Sequence, residues 1–221
     1  GSGIAEVCAR SGYDVVVSEV NSELLNKGMG RIKSSLGRGV EKGKITKEDE
    51  AAALSRIKGT TDMKDFGNCD LVIEAVIEDM EEKKKVFGAL DEICPSHAIL
   101  ASNTSVLSII DMAMMTKRLE KVLGLHFMSP VPVMRLLEIV RTIATSDETI
   151  ETAKAFGQSI GKTTVIAKDT PGFIVSRLLN PYLLDAVRIF EAGLATKEDI
   201  DQAIVLGLNH PMGPLTLLDF V

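Results

Sequence analysis

Residues Gly1–Glu19 read GSGIAEVCARSGYDVVVSE, and their pattern decides the fold. Small and apolar residues first recur at a helical spacing, Gly12 then ends the helix, and three valines form a strand that ends at Glu19. A helix with glycine at its N-terminus, a short buried strand and a terminal acid are typical of the second half of a βαβ unit that binds a dinucleotide. Taken alone, the same stretch also fits an ordinary helix followed by a strand.

In such a βαβ unit, Gly1 is the last glycine of a GxGxxG pattern. The pyrophosphate of the dinucleotide then rests on main-chain N–H groups at the helix N-terminus, where a side chain would block its approach. Glu19 would bind the ribose hydroxyls and repel a 2′-phosphate, which favours NAD over NADP as the cofactor. No strand precedes the first helix, so we expect the sequence to be truncated at its start.

Strands and helices alternate over the first part of the chain, which predicts an α/β fold. The segment from Asn21 to roughly Lys58 is charge-rich and helical, and we expect it to form a helical arm outside the sheet. We therefore predict a Rossmann-type dinucleotide-binding domain over residues 1–168. Its later strands are predicted at Cys69–Val76, Ala98–Ala101, Val122–Leu125 and Thr163–Ala167, and its later helices at about 79–93 and 148–160.

The pattern changes after the turn Asp169–Gly172, because every later segment is helical. Helices are predicted over Ile174–Glu191 and Lys197–Leu206. We therefore place a domain boundary near Asp169 and assign residues 169–221 to an all-helical domain. The sequence ends in the apolar run 215–221, so we expect this domain to be cut short.

The composition argues against several classes of protein. No run of roughly eighteen apolar residues is present, which argues against a membrane span. A net charge of −6 without a basic stripe argues against nucleic acid as a partner. Cys8, Cys69 and Cys94 lack the spacing of a metal site or redox motif, so no metal is expected. Free thiols are typical of a reduced compartment, and we expect a cytoplasmic protein.

His126 and Glu138 flank a proline-containing turn and form a candidate catalytic pair. A short apolar strand delivers His126 at its C-terminal end, and a second strand carries Glu138. A carboxylate among apolar residues is costly to bury without a partner. Histidine titrates near neutral pH, as a base must if it removes a hydroxyl proton during hydride transfer. Judged by spacing alone, such a pair is more often structural than catalytic.

Other polar residues have a structural interpretation when judged by position alone. Ser105 follows a predicted strand at the edge where α/β sheets bind ligands, but hydroxyl groups there also cap helices, which is the role its position favours. Lys83 lies in a charged run typical of a solvated helix face. Ser35 and Lys42 lie in the helical arm, where their spacing predicts surface residues.

Five motifs follow one another along the chain: Ala101–Ser105, Gly124–Phe127, Pro130–Met134, Asp169–Phe173 and His210–Pro214. Together they resemble the motifs of L-3-hydroxyacyl-CoA dehydrogenases, including the 3-hydroxybutyryl-CoA enzymes. The resemblance covers the whole chain and implies an NAD-dependent oxidoreductase of fatty acid metabolism and β-oxidation that interconverts an L-3-hydroxyacyl-CoA and a 3-oxoacyl-CoA. It also implies a homodimer for the full-length protein.

The resemblance implies roles for individual residues. His126 matches the general base, Glu138 its orienting partner, and Ser105 the hydroxyl that contacts the substrate oxygen and the nicotinamide end of the cofactor. Ser35 and Lys42 match positions that contact coenzyme A, where Lys42 supplies positive charge to the phosphates. Beside Gly1, the positions that match NAD-binding residues are Glu19, Glu78 and Lys83.

Two positions depart from the family pattern, which usually has asparagine where this chain has Ser129 and Ser176. In the usual arrangement the asparagine at position 129 lies beside the cofactor, and the one at position 176 supplies an amide donor near the reacting group. Serine is shorter and offers one donor, so a bridging water would be needed. Alternatively, both serines belong to a pocket rebuilt for another acyl chain. We assign Ser129 to the cofactor site and Ser176 to the catalytic residues.

Two other functions stay open from the sequence. The departures at Ser129 and Ser176 are compatible with a non-catalytic protein that binds NAD or acyl-CoA on the same fold. The other function is that of a dehydrogenase of free 3-hydroxy acids, in which Ser35 and Lys42 would have no role.

Overall fold

The computed structural model describes residues 1–220, and the chain divides into two compact units. The first spans Gly1–Thr170, and the second begins at Pro171, in the turn where we predict the domain boundary. Val221, the last residue of the predicted helical domain, lies outside the described residues.

The first unit alternates helices with short strands. Its helices are α1 (Ser2–Arg10), α2 (Ser22–Glu41), α3 (Lys47–Ser55), α4 (Met80–Ile93), α5 (Ile109–Ala113) and α6 (Asp147–Ser159). Its strands are β1 (Val15–Ser18), β2 (Ile57–Thr60), β3 (Leu71–Glu74), β4 (Ile99–Ser102), β5 (Val122–Phe127), β6 (Leu136–Arg141) and β7 (Thr163–Lys168).

These strands form two hydrogen-bonded sheets. Strand β1 pairs with β2, and the other five lie in the order β3–β4–β5–β6–β7. All neighbours are parallel except β5 and β6, which are antiparallel. The connection between β5 and β6 is a short turn with two prolines, too short for the crossover that a parallel pair needs. Parallel strands joined by helices confirm the prediction of a Rossmann-type α/β fold.

Helix α1 is buried on two sides. Ile4, Val7 and Cys8 join the core that lies on β4, β5 and β6. Ala5 and Ala9 face a second core, which α1 forms with α2, α3 and β2. Because consecutive helical residues lie about 100° apart, this sequence buries nearly the whole circumference of the helix. Helix α1 is therefore fixed between the large sheet and the helical pair.

The segment between Asn21 and Lys58 differs from its prediction. Ile57–Thr60 is strand β2 and not the end of a helix, and it pairs with β1 over its whole length. Helices α2 and α3 form a helical pair, as predicted, and they pack on α1 and on the β1–β2 pair. Strand β1 is half-buried rather than buried, since β2 is its one hydrogen-bonded neighbour among residues 1–220.

The second unit is helical, as predicted, with helices α7 (Val175–Glu191), α8 (Lys197–Leu208) and α9 (Pro214–Phe220). Asp201 on α8 accepts the main-chain N–H groups of Leu215 and Thr216 and so caps the start of α9. The small core of the second unit consists of Ala186, Ile200 and Leu215. Within residues 1–220, every helix is too short or too polar to cross a membrane.

Candidate active site

Strands β5 and β6 place His126 directly opposite Glu138 in their antiparallel register. Cross-strand partners carry their side chains on the same face of a sheet, and here His126 Nδ1 lies 2.6 Å from Glu138 Oε2. The two side chains are 7% and 0% exposed. A carboxylate buried in this way accepts the Nδ1–H, which directs the basic lone pair of the imidazole to Nε2. The structure thus brings together the two residues that we predict as a pair.

Ser105 lies on the other side of the imidazole, with its Oγ 3.0 Å from His126 Nε2. The positional expectation that Ser105 caps a helix is wrong. The neighbouring Thr104 stabilises the loop itself, because its hydroxyl accepts the N–H groups of Val106 and Leu107. The N–H groups of Ile109 and Ile110 at the start of α5 donate to the carboxylate of Asp169. The hydroxyl of Ser105 therefore contacts the imidazole, and Ser105, His126 and Glu138 form a hydrogen-bonded chain.

Asn103 fastens the loop after β4 to strand β5. Its Oδ1 accepts the main-chain N–H of Phe127 at 3.0 Å, and Phe127 is the residue after His126. The contact therefore holds the loop that carries Ser105 against the strand that carries the imidazole. We did not predict this role, although the place of Asn103 in the polar cluster after β4 is a signal for it.

A group of charged side chains, of which Lys83 and Glu74 are buried and Glu78 is exposed, lies near the C-terminal ends of β3 and β4. Lys83 on α4 donates from Nζ to Glu74 Oε1 at 2.8 Å and lies 3.1 Å from Glu78 Oε2. Glu74 also accepts the Ser102 hydroxyl at 2.7 Å. Lys83 is only 1% exposed, so the expectation of a solvated helix face is wrong at this position. Two carboxylates compensate its charge, which makes the burial possible. Glu74, which we did not predict from the sequence, is therefore part of the candidate site.

Glu78 joins this charged group to the loop that carries Ser105. Burial opposes ionisation of Glu78, but hydrogen bonds from the Thr104 hydroxyl and Lys83 outweigh it and hold its pKa below the usual value. The main-chain N–H of Ser105 also donates to this carboxylate. The two predicted NAD-binding residues of this region, Glu78 and Lys83, are therefore in contact with each other, and Glu78 is hydrogen-bonded to the loop that carries Ser105.

The start of α1 and the end of β1 fit a bound dinucleotide. Gly1 is the N-cap of α1, and a Cβ built on it would meet nothing within 4 Å. The main-chain N–H groups at a helix N-terminus suit a pyrophosphate. Glu19 directly follows β1 and is half-buried, and its carboxylate has no ion pair among residues 1–220. A carboxylate in this state is suited to accept ribose hydroxyls.

The other predicted site residues lie on separate elements. Ser35 and Lys42 are about two turns apart along one face of the α2 helix, where Ser35 is half-buried and the C-capping Lys42 is exposed. Ser129 is exposed after β5, at a cis peptide bond to Pro130. Ser176 lies in the first turn of α7 and belongs to the second unit.

The cysteines take no part in this cluster. All three are free thiols, and burial raises the pKa of the Cys8 thiol from 9.0 to about 11. Burial also raises the pKa values of Cys69 and Cys94. A protonated thiol is a poor nucleophile and a poor metal ligand. No group of three or more His, Cys, Asp or Glu side chains within residues 1–220 is arranged to hold a metal ion.

These features define a class of protein. A mostly parallel sheet, a helix N-terminus near a strand that is followed by an acid, and a buried carboxylate–imidazole pair in contact with a hydroxyl are typical of a nicotinamide-dependent dehydrogenase. The family model for the NAD binding domain of 3-hydroxyacyl-CoA dehydrogenase matches residues 1–170, and the model for the C-terminal domain of that enzyme matches residues 172–221. The chain belongs to the 3-hydroxyacyl-CoA dehydrogenase family and is an NAD-dependent oxidoreductase.

Individual relatives agree with this assignment. The probable 3-hydroxybutyryl-CoA dehydrogenase of Bacillus subtilis is 44% identical over 221 residues, which cover 100% of this chain and 77% of the relative. The 3-hydroxybutyryl-CoA dehydrogenase of Mycobacterium tuberculosis is 48% identical over 223 residues, covering 100% of this chain and 78% of the relative. The chain thus spans about three quarters of the length of these relatives.

Solved structures show the same similarity in three dimensions. The crystal structure of M. tuberculosis FadB2 matches with a TM-score of 0.98 at 47% identity, covering 100% of this chain and 78% of that one. The (S)-3-hydroxybutyryl-CoA dehydrogenase PaaH1 of Ralstonia eutropha matches with a TM-score of 0.96 at 42% identity, with the same coverage.

Proposed function

We propose that the protein catalyses the reversible oxidation of an L-3-hydroxyacyl-CoA to the 3-oxoacyl-CoA, with His126 as the general base. The observation that carries this proposal is the line Ser105–His126–Glu138, in which the two ring nitrogens lie 3.0 Å from a hydroxyl and 2.6 Å from a carboxylate. A hydride leaves C3 of the substrate only as the C3 hydroxyl loses its proton, so a base must lie within hydrogen-bond reach of that hydroxyl.

His126 takes this proton on Nε2, and Glu138 stabilises the imidazolium that forms. Because the Glu138 carboxylate is fully buried, water screens its charge poorly and its effect on the imidazolium is strong. The Nδ1–H bond to Glu138 also fixes the ring orientation and the tautomer. In the reducing direction the imidazolium returns its proton to the oxygen of the 3-oxo group.

Ser105 holds the substrate oxygen beside the imidazole. A substrate hydroxyl that approaches both Ser105 Oγ and His126 Nε2 is positioned before its proton moves, which lowers the barrier through orientation. Bound NAD⁺ supplies the hydride acceptor. We assign the binding of NAD to Gly1, Glu19, Glu78, Lys83, Ser105 and Ser129, and the polar contact near the thioester to Ser176.

We propose that the acyl group is short, as in 3-hydroxybutyryl-CoA, because the relatives from B. subtilis and M. tuberculosis carry that substrate in their names. Ser35 and Lys42 are assigned to the coenzyme A portion. Roles in fatty acid metabolism and β-oxidation are proposed on the same family resemblance. The names of these relatives do not favour a non-catalytic binding protein or a dehydrogenase of free acids.

We further propose that the full-length protein is a cytoplasmic homodimer. The homodimer rests on the family resemblance, and the location rests on the three free thiols, which are typical of a reducing compartment. Neither nucleic acid nor a membrane is proposed as a partner, because the net charge is −6 and no basic stripe is present.

Loss of NADH absorbance tests the proposed reaction with acetoacetyl-CoA and, in a parallel reaction, free acetoacetate. We expect rapid oxidation of NADH with the thioester and far slower oxidation with the free acid. Equal rates with both would favour the dehydrogenase of free acids. NADH binding measured by fluorescence, without turnover of acyl-CoA of any chain length, would favour the binding protein.

A further inference from the structure

Glu74 is a buried carboxylate whose two oxygens both accept hydrogen bonds. It is the last residue of β3, and its side chain is 0% exposed. Its Oε1 accepts from Lys83 Nζ at 2.8 Å and from the main-chain N–H of Val76 at 2.7 Å. Its Oε2 accepts from the Ser102 hydroxyl, also at 2.7 Å. Because these bonds hold both oxygens and solvent is excluded, the orientation of the carboxylate is fixed.

One link from Glu74 leads to the residues assigned to NAD. The ammonium of Lys83 lies between two carboxylates, 2.8 Å from Glu74 Oε1 and 3.1 Å from Glu78 Oε2. Glu78 is exposed, whereas Glu74 and Lys83 are buried. The bond from the Val76 N–H to Glu74 also fixes the start of the loop that carries Glu78. Glu74 therefore orients the Lys83–Glu78 pair from its buried side.

A second link from Glu74 leads to the loop that carries Ser105. The Ser102 hydroxyl, which donates to Glu74, accepts the main-chain N–H of Thr104 at 3.2 Å. The Thr104 hydroxyl donates in turn to Glu78, and the main-chain N–H of Ser105 donates to the same carboxylate. The loop is thus held on one side through Ser102 and on the other through Glu78.

The two links form a closed ring of hydrogen bonds that joins the ends of β3 and β4 to the start of α4. The members of this ring are Glu74, Lys83, Glu78, Thr104 and Ser102. Ser105 directly follows the ring, and its Oγ lies 3.0 Å from His126 Nε2. Because the members of such a network constrain one another, the loss of one bond shifts groups elsewhere in the ring.

We propose that Glu74 is a positioning residue for hydride transfer. It is fully buried and therefore acts only through its neighbours, holding Lys83 at the cofactor and, through Ser102, the loop that presents Ser105 to the substrate oxygen. The tasks of Lys83 and Ser105 in this inference rest on the proposed function. A misplacement of about 1 Å between reacting groups can cost on the order of 10²-fold in rate. One carboxylate thus keeps the cofactor and the substrate oxygen in a fixed relative position.

The test compares Glu74→Gln, which keeps the shape of the side chain and removes its charge, with Asp91→Asn. Asp91 is a matched control, because its side chain is 7% exposed and pairs with Arg118 outside the ring. Fluorescence titration measures the Kd for NADH, and NADH absorbance measures kcat for acetoacetyl-CoA at saturating NADH. We expect Glu74→Gln to weaken NADH binding roughly tenfold and to lower kcat at least roughly tenfold. Asp91→Asn should keep both values.

The variant Ser102→Ala removes only the link to the loop. Lys83 keeps its ion pair with Glu74, so we expect kcat to fall roughly tenfold while the Kd for NADH stays unchanged. The two variants thereby separate the effects on NADH binding and on turnover, which a loss of stability alone would not do. Because Ser102→Ala removes no charge, it also tests the inference if Glu74→Gln does not fold. Urea denaturation measures the stability of each variant.

Other outcomes would overturn the inference. If Glu74→Gln loses stability but keeps the Kd for NADH and kcat, Glu74 has a structural role only. A change in only one of these two quantities would refute the link between the two sites, and an unchanged kcat in Ser102→Ala would refute the link to the loop. If the unmodified protein binds NADH but does not reduce acetoacetyl-CoA, the proposed function fails. The NADH affinity of Glu74→Gln then decides this inference, which a tenfold loss supports and an unchanged value overturns.

Discussion

At the scale of single residues, the chemistry depends on what surrounds one imidazole. Glu138 is fully buried and lies 2.6 Å from His126 Nδ1, while Ser105 lies 3.0 Å from Nε2. In the proposed mechanism the carboxylate stabilises the charge of the imidazolium, and the hydroxyl positions the substrate. Substitutions that change one property and keep the shape can therefore separate these tasks.

The variant Glu138→Gln keeps the size of the side chain but removes its charge. We expect kcat for acetoacetyl-CoA reduction to fall on the order of 10²–10⁴-fold, because an amide does not stabilise the imidazolium and can fix the wrong tautomer. Stopped-flow or steady-state NADH absorbance measures the change. Glu151→Gln, on an exposed helix face, is the matched control and should leave kcat unchanged. Wild-type turnover in Glu138→Gln would contradict the assigned role.

Ser176→Asn restores the residue that the family usually has at this position. We expect kcat to rise, by roughly tenfold, because an amide reaches farther than a hydroxyl and replaces a bridging water by a direct donor. Steady-state kinetics with acetoacetyl-CoA measures the change, and Ser129→Asn serves as the comparison, with its effect expected on the KM for NADH. A fall in kcat for Ser176→Asn would show that the pocket is built around the serine.

At the scale of secondary-structure elements, Arg118 anchors the C-terminus of α4. The last carbonyl groups of a helix have no partner within the helix. Here the guanidinium donates to the main-chain oxygens of Asp91, Cys94 and Pro95 and, at 2.7 Å, to the Asp91 carboxylate. The positive charge also interacts favourably with the helix dipole at this end. One buried side chain thus closes the helix that carries Lys83 at its start.

Replacing Arg118 by alanine should destabilise the fold strongly. We expect Arg118→Ala to lower the free energy of unfolding by about 3 kcal/mol, because it leaves the Asp91 carboxylate without its cationic partner and several carbonyls without their donor. Arg141→Ala breaks an ion pair with Asp147 that is exposed, and it should cost no more than about 1 kcal/mol. Urea denaturation measures both values. Equal costs for the two variants would contradict the structural role given to Arg118.

The same scale shows which elements can be predicted from sequence. Helices α4, α6 and α8 begin where expected because Asp79, Ser146 and Thr196 cap them with their own side chains. Strand β2 escapes prediction because Ile57–Thr60 is short, contains lysine and glycine, and gains its stability from pairing with β1, far away in sequence. Local signals thus set the helix ends, while non-local pairing sets this strand.

In the candidate site, too, local sequence signals predict some features, whereas others depend on contacts between distant parts of the chain. His126 and Glu138 are predictable as a pair because a carboxylate in an apolar strand needs a partner. The role of Ser105 is not predictable in this way, since the path of the loop directs its hydroxyl to His126, and the distant Asp169 caps the start of α5. The role of Glu74 also needs the folded structure, because its partners Lys83 and Ser102 come from separate elements.

At the scale of the whole molecule, stability in alkaline solution depends on a buried thiol. The pKa of Cys8 is about 11 in the folded protein, against 9.0 as its ordinary value. Above pH 9 the unfolded chain therefore releases this proton before the folded chain does, so the group stabilises the fold below pH 9 and loses that contribution as the pH rises to about 11. A shift of this size corresponds to about 3 kcal/mol.

Removal of the thiol should therefore weaken the pH dependence of folding. Between pH 8 and pH 10.5 the free energy of unfolding should decrease for both proteins. We expect the decrease for Cys8→Ala to be about 2 kcal/mol smaller than the decrease for the unmodified protein. Urea denaturation at the two pH values measures the difference. Cys69→Ala, at a half-buried position, is the control and should change the pH dependence less. Parallel losses in Cys8→Ala and the unmodified protein would contradict the prediction.

The central claim is that His126 moves the proton during hydride transfer. The most direct measurement is kcat for NADH-dependent reduction of acetoacetyl-CoA by His126→Ala, together with the Kd for NADH from fluorescence titration. The proposed mechanism predicts a fall in kcat of at least about 10²-fold with a nearly unchanged Kd. Turnover at the level of the unmodified protein would contradict the mechanism.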